Sequence, residues 1–223
     1  NELLVIAVPV TAAGVSIAET WDTQGMRASA SHDLVLENVR VPAANVGVRL
    51  PYGAPMRTPQ LSNVGRWFLP LGASVYLGIA GEAREHAYKA IGGGVNTANR
   101  ADPLTDMLIG QMEAAYFTAT AVRNQAAAEL DAPPADHQAA LATAIIAKEV
   151  VTAKAIEVVD KAIEIAGGRS YYRKSPLERL SRDVRAGRFH PPASPTSFQM
   201  VGERRREAFE AAAAPAREAV GAR

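Results

Sequence analysis

The sequence predicts an α+β protein that is mostly α-helical, in which a β segment precedes an antiparallel helical bundle. Three observations support this fold class. Short apolar stretches typical of strands occupy the chain to about residue 48, a proline-rich segment follows, and helical periodicity with helix-start and helix-stop residues dominates beyond it. We therefore divide the chain into a partial β domain with its linker, residues 1–55, and a carboxy-terminal helical domain, residues 56–223.

Three apolar stretches, at residues 3–10, 15–19 and 34–42, predict the strands of the β segment. Gly14 and Gly25 belong to the turn segments between them. The alternation of apolar residues in the third stretch slips at Glu37 and Asn38, which predicts a bulge or a bend there. The first stretch begins almost at Asn1, without a Met or a signal peptide, so we expect a chain that enters its β domain partway.

Residues 50–59 contain three prolines and a glycine, which disfavour a helix or a central strand and indicate a domain boundary. Beyond it, helices are predicted over residues 62–91, 102–130 and 136–166. A short helix begins at Ser175, with Pro176 at its first position and Glu178 at its third, and a last helix begins at Ser194 and Pro195.

The first predicted helix carries an apolar face formed by Trp67, Leu71, Val75, Gly78 and Ala83. Small residues let a second helix approach closely. We expect the bundle to self-associate through such faces.

Composition excludes several classes of function. The 223 residues are 48% hydrophobic, enough to bury a core, and the formal net charge of +1 offers no basic surface for nucleic acid. No apolar run is long enough to cross a membrane. The sequence has no cysteine, which excludes disulfides and thiolate metal sites and is compatible with a cytoplasmic location. The four histidines, His32, His86, His137 and His190, lack the spacing of metal ligands, so we expect no metal.

Two motifs resemble the acyl-CoA dehydrogenase superfamily. The segment 167–185 contains Gly167-Gly168-Arg169-Ser170-Tyr171 and ends in Arg182-Asp183-Val184-Arg185. The segment 21–42 contains Trp21, then Gly25-Met26-Arg27, Ser31-His32-Asp33 and Val39-Arg40-Val41-Pro42. The resemblance implies the end of a β-barrel domain followed by the family's helical bundle. Family members begin with a helical domain, so we expect this chain to be either a fragment or one half of a split system.

The resemblance also implies an FAD cofactor and residues that contact it. In the family, the Gly-Gly turn, here Gly167 and Gly168, approaches the flavin of a neighbouring subunit. An Arg and a Gln eleven positions apart reach its pyrophosphate, and Arg100 and Gln111 have this spacing. Glu164 replaces a Gln near the same turn, and a diphosphate would repel this acid unless it points aside.

The usual catalytic carboxylate of acyl-CoA dehydrogenases is missing. Counting from the neighbouring motifs puts Pro191 or Ala193 at its main position, and Leu71 at its alternative position in the first bundle helix. Neither position can supply a base to remove the α-proton of a thioester.

His190 is the remaining candidate for catalysis. It follows Arg185 by five residues and precedes Pro191, which resembles a pattern of the flavin monooxygenases that share this fold, such as dibenzothiophene monooxygenase. An imidazole at the flavin would hydrogen-bond a reacting oxygen atom or act as a general base near neutral pH. The alternative is a loop histidine that caps a helix end.

Three functions remain open. The first is an FAD-dependent oxidoreductase that acts on an acyl-CoA thioester, the second is a flavin monooxygenase, and the third is an assembly partner without catalysis of its own. We take the first as the function that the family resemblance implies and the second as the main alternative. The family implies a small-molecule substrate and a homo-oligomer, either a dimer or a tetramer. Neither nucleic acid nor a membrane is an expected partner.

Overall fold

The computed structural model describes residues 1–52, 58–92, 102–131 and 133–221. Within these ranges four strands precede five α-helices. The strands are β1 (Glu2–Ile6), β2 (Val15–Ala18), β3 (Asp33–Leu36) and β4 (Val46–Pro51), and the helices are α1 (Pro59–Gly92), α2 (Pro103–Ala128), α3 (His137–Ala166), α4 (Pro176–Val184) and α5 (Ser194–Gly221). This arrangement confirms the predicted fold class.

The strands form two antiparallel pairs, β1 with β4 and β2 with β3. The predicted bend after β3 is present, because Asn38 has a positive φ of 52° and the amide of Glu37 donates to the carbonyl of Gly14. We had assigned residues 50–52 to the linker, whereas Leu50 and Pro51 belong to β4 and pair with β1. Pro51 is tolerated because it ends a strand that has a partner on one side only.

Capping residues set the helix boundaries as the sequence predicts. The Asp102 side chain accepts from the amide of Leu104, and the Asp136 side chain accepts from the amides of Gln138 and Ala139. At α4 the capping pair behaves differently. Ser175 makes no side-chain cap hydrogen bond, and Glu178 binds Arg182 instead, with Nε to Oε1 at 2.7 Å.

Helix α3 is the centre of the bundle. It packs against α1, α2, α4 and α5, and its interface with α1 is the most extensive. Alanines make the close approach of α1 to α3 possible, because Ala80, Ala83 and Ala87 of α1 are fully buried opposite a seam of α3. That seam consists of Ala155, Val158, Val159 and Ala162.

The predicted apolar face of α1 is therefore divided between two sides of the helix. Ala83 points into the bundle, whereas Trp67, Leu71 and Val75 remain 45%, 59% and 53% exposed. The sequence pattern alone did not separate them, because α1 is apolar on both sides.

The core supports a prediction about stability. Met112 of α2 has no exposed surface, so Met112→Ala leaves a cavity and should lower the free energy of unfolding by about 2–5 kcal/mol. Met107 lies on the same helix and is 51% exposed, so Met107→Ala should change it by less than about 0.5 kcal/mol. Urea unfolding of both variants tests this, and equal effects would contradict the buried position of Met112.

Candidate functional site

A pocket of about 680 Å³ lies between the β segment and the helical bundle. We call it the His190 pocket. One wall is the loop from Trp21 to Ser31, and the other combines Tyr76 of α1 with residues between Arg182 and Pro191. Its described lining residues are Trp21, Thr23, Gln24, Gly25, Met26, Ser29, Ser31, Tyr76, Arg182, Arg185, Ala186, Phe189, His190 and Pro191.

Two residues of α4 hold the loop wall in place. The Asp183 carboxylate accepts a 2.6 Å hydrogen bond from the amide of Met26, and Arg182 donates from Nη1 to the carbonyl of Gln24 at 2.8 Å. Gly25 lies between these contacts and is buried. A Cβ at this position would lie 2.4 Å from the carbonyl oxygen of Arg182, so only glycine fits. The Arg-Asp pair of the sequence motif therefore connects the two parts of the chain.

The loop also has its own hydrogen bonds. Trp21 donates from Nε1 to the carbonyl of Met26 at 3.1 Å, and its amide donates to Nδ1 of His32 at the same distance. Arg27 donates from Nε to the carbonyl of Thr23 at 2.8 Å. Through these contacts Trp21, Arg27 and His32 hold the loop together, and Trp21 in addition lines the His190 pocket.

His190 lies between aromatic side chains from α1. Its Nδ1 and the Tyr76 hydroxyl share a 3.3 Å hydrogen bond, and the Phe68 ring meets the imidazole edge to face with 5.2 Å between centroids. Gly72 faces the same ring, and a Cβ there would lie 3.5 Å from the imidazole Cε1. The amide of His190 donates to the carbonyl of Ala186, which fixes the backbone at the end of the 3₁₀ turn after α4.

The two hydrogen-bonded groups, the His190 imidazole and the Tyr76 hydroxyl, are both neutral at neutral pH. Burial lowers the pKa of His190 below its ordinary value, and the nearby Lys148 ammonium lowers it further. Burial raises the pKa of the Tyr76 hydroxyl, which keeps this group protonated. A neutral imidazole beside a phenol can accept or donate a proton, which a permanently charged group cannot do.

No acidic side chain is found among the described residues that line the His190 pocket. Pro191, one of the two residues at the expected main position of the catalytic carboxylate, lines the pocket. Leu71, at the alternative position, is 59% exposed on α1. The two arginines of the wall are paired with acids outside it, Arg182 with Glu178 and Arg185 with Asp160.

The Gly-Gly turn lines a second pocket of about 510 Å³ at the carboxy-terminal end of α3. Gly167 ends α3 with a φ of 68°, and the Cβ positions of both Gly167 and Gly168 meet no atom within 4 Å. Lys89 and Arg169 add positive charge to the lining. We call this the glycine-turn pocket.

The remaining predicted cofactor residues are distributed unevenly. Glu164 lines the glycine-turn pocket, and its carboxylate is paired with Lys161 at 3.0 Å, so its charge is partly compensated. Gln111 is exposed on α2 and belongs to neither pocket. Arg100 lies outside the described residues. The chain therefore brings Glu164, Gly167 and Gly168 together, and places His190 in a different pocket.

Sequence reasoning missed three residues around His190, namely Phe68, Tyr76 and Lys148. Lys148 carried a usable signal, since a lysine inside an apolar stretch of α3 is unusual for a buried face. Phe68 and Tyr76 carried none, because aromatic residues on an apolar helix are expected in any core. The part of the chain that the structure describes contains no group of three metal-ligating side chains, and none of its helices is long and apolar enough to cross a membrane.

Three of the curated relatives illustrate the range of named activities. A putative acyl-CoA dehydrogenase, YdbM of Bacillus subtilis, is 36% identical over 88% of this chain and 50% of its own length. The amino sugar nitrososynthase DnmZ of Streptomyces peucetius is 30% identical over 84% of this chain and 47% of its own. A dibenzothiophene monooxygenase of Rhodococcus erythropolis is 27% identical over 86% and 50%. The chain thus spans about half the length of the curated relatives it matches.

The solved structures include KijD3 in complex with FMN and a dTDP-linked amino-keto sugar. It superposes with a TM-score of 0.76 over 90% of this chain and 50% of its own, at 26% identity. The family model for the carboxy-terminal domain of acyl-CoA dehydrogenases matches residues 71–195. This range includes the residues of the helical domain that line the two pockets. The chain belongs to the acyl-CoA dehydrogenase family, a family of flavoenzymes that also includes nitrososynthases and monooxygenases.

Proposed function

We propose that the protein containing this chain is a flavin-dependent oxidoreductase of small molecules, and that it transfers oxygen with His190 as its ionisable group. One observation carries this proposal. The His190 pocket offers a neutral imidazole hydrogen-bonded to Tyr76, and its described lining contains no carboxylate.

The His190 pocket suits a flat aromatic group with a polar edge. Its volume of about 680 Å³ lies within the roughly 300–1,000 Å³ typical of cofactor and ligand sites. Trp21, Tyr76 and Phe189 supply aromatic surface, while Thr23 and Ser29 supply hydroxyls. Such walls would hold a flavin ring, which, when bound, supplies the capacity to accept a hydride or to activate oxygen.

The glycine-turn pocket suits an anionic group. Gly167 and Gly168 leave their backbone open to close approach, and Lys89 and Arg169 bring positive charge. We propose that this pocket receives the diphosphate of a flavin bound mainly by a neighbouring subunit. Gln111 would reach the same cofactor only across a subunit boundary, since it is exposed on its own chain. This arrangement favours FAD, whereas the named ligand of KijD3 is FMN.

Within the His190 pocket, the chain's own residues control a proton. Tyr76 engages Nδ1 of His190, which leaves the second ring nitrogen to exchange a proton with a ligand in the pocket. Phe68 covers the imidazole edge to face and helps to exclude water. The fixed ring orientation favours proton transfer at one atom of a bound substrate.

Two relatives support oxygen transfer. The name amino sugar nitrososynthase denotes a product in which nitrogen carries oxygen, and dibenzothiophene monooxygenase is named for oxygenation. Neither reaction requires a carboxylate to remove an α-proton from a thioester.

Dehydrogenation of an acyl-CoA thioester, and with it a role in acyl-CoA metabolism, is the second candidate. It is supported by the 36% identity to YdbM, named as a putative acyl-CoA dehydrogenase. In this candidate a carboxylate base would have to come from residues outside the described lining of the His190 pocket.

The first test replaces the imidazole. His190→Ala in the complete protein should lower oxygenated-product formation roughly 10²–10⁴-fold, the contribution of general acid–base catalysis, while flavin reduction by a reductase remains intact. His137→Ala, at the start of α3 and outside the His190 pocket, is the matched control. Because the pKa of His190 is lowered, the neutral form persists below pH 6.5, so activity should fall only at lower pH. Unchanged product formation in His190→Ala would reject the proposal.

The second test separates the two chemistries. The complete flavoprotein is mixed anaerobically with saturated acyl-CoA thioesters. The flavin absorbance at about 450 nm should stay close to its starting value, because no carboxylate is found among the described residues that line the His190 pocket. Rapid bleaching would favour acyl-CoA dehydrogenation. A complete protein that binds neither oxidised nor reduced flavin added in solution would instead favour an assembly partner.

We also propose that the protein self-associates through the exposed face of α1. Trp67, Leu71 and Val75 form an apolar strip at helical spacing, whereas the alanines of α1 are already buried against α3. A dimer or a tetramer would cover this strip.

Light scattering tests the oligomer. The double variant Leu71→Glu with Val75→Glu should give a smaller species than the unsubstituted protein, because a buried unpaired charge opposes association. Asn124→Glu adds the same charge to an exposed position of α2 and should leave the mass unchanged. A monomeric unsubstituted protein well above micromolar concentration would refute self-association.

A further inference from the structure

The segment that follows His190 lacks two of the backbone amides that would ordinarily donate hydrogen bonds. Pro191 and Pro192 follow His190 directly, and neither has an amide hydrogen to donate. At Pro191 and Pro192 the carbonyl oxygens are therefore the backbone groups by which the chain can be anchored. What binds the Pro192 carbonyl helps to hold the turn that follows the imidazole, in addition to the bond from the His190 amide to Ala186.

Two buried donors bind that carbonyl. Lys148 donates from Nζ to the oxygen of Pro192 at 3.0 Å, and the Ser197 hydroxyl donates to the same oxygen at 3.0 Å. Lys148 is 2% exposed and Ser197 is fully buried. Both contacts reach Pro192 from different helices, α3 and α5, so they fix the segment from two sides.

Burial of the Lys148 side chain is energetically unfavourable. An ammonium group loses its hydration in the interior and is tolerated only with close partners. Its partner is the adjacent Glu149, 7% exposed, with Oε1 at 2.8 Å from Nζ. Burial alone raises the pKa of Glu149, but the hydrogen bond from Lys148 and the charge of its ammonium oppose this, and the pKa lies below its ordinary value, so the carboxylate stays charged. A hydrophobic side chain would fill this position of α3 at lower cost, which points to a role beyond packing.

We infer that Lys148 is a positioning residue of the His190 site, holding the Pro192 carbonyl and keeping the imidazole against Tyr76 beside a fixed positive charge. This inference rests on the proposed function for its relevance to catalysis. The hydrogen bonds and the burial of Lys148, from which it is argued, do not depend on that function. The Lys148–Glu149 pair anchors the turn, and the ammonium is the charged group that acts on His190 from α3.

The other charged and titratable groups around the imidazole are accounted for. Tyr76 faces it from α1 and is neutral. Arg182 of α4 and Arg185 of the following 3₁₀ turn line the same pocket, and each is paired with an acid, Glu178 and Asp160 respectively. Lys148, which is paired with Glu149, is the group that opposes protonation of His190 through its charge.

The test measures the pKa of His190 by NMR in the complete protein with ¹³C-labelled histidine, with the His190→Gln spectrum identifying the signal. The double variant Lys148→Met with Glu149→Gln leaves no buried unpaired charge and is designed to fold. In it the pKa of His190 should rise toward the ordinary value. Lys148→Arg retains a cation beside Glu149, so it should not raise the pKa. The acid limb of product formation should move with the NMR titration.

A matched control distinguishes positioning from general loosening. Val159→Ala removes buried volume from the same helix without touching a charge, so it should lower stability and leave the pKa of His190 unchanged. The inference is overturned if the double variant leaves this pKa unchanged, or if Val159→Ala raises it equally. The NMR readout needs no turnover, so a protein that forms no oxygenated product would overturn the proposed function alone.

Discussion

The hydrogen bond from the Met26 amide to the Asp183 carboxylate is the contact on which the arrangement of the site depends. It joins a loop of the β segment to α4, and Arg182 adds a second bond to the same loop. Since the loop is one wall of the His190 pocket and the turn after α4 is the other, one pair of residues sets the width of the pocket. The buried Gly25 shows how close this approach is, because a side chain there would overlap the α4 backbone.

The position of the bundle wall depends in turn on α3. Its small and β-branched residues let α1 pack closely, and this packing places Phe68, Gly72 and Tyr76 around the imidazole. The same helix contributes Lys148 beneath the His190 segment and ends at the glycine turn. The two pockets are therefore placed by one rigid element, which suits a site that must hold its geometry to a fraction of an ångström.

The fold was largely predictable, and the site only in part. Helix boundaries were readable because Asp102 and Asp136 cap the helices locally, and the bend at Asn38 was readable because it interrupts an alternation. The β4 strand was missed because its partner β1 lies more than 40 positions away in the sequence. His190 was found through its motif, but Tyr76 could not be, since the contact joins residues 114 positions apart. Motif spacing likewise could not show that Gln111 is exposed away from both pockets.

The replacement of an acid by prolines in this family member changes how the site can work. Any general base must lie within hydrogen-bond reach of the proton that it takes, so an imidazole held by Tyr76 depends on how its backbone is anchored. Prolines restrict the backbone but remove its amide donors, so the anchoring passes to carbonyl groups and to the buried side chains that bind them. Lys148 and Ser197 supply this anchoring, and Glu149 pairs with Lys148. Burial, together with the charge of Lys148, lowers the pKa of His190. Under the proposed function, the buried ion pair and the missing acid are two parts of one arrangement, in which a neutral histidine held in place would take over from a carboxylate.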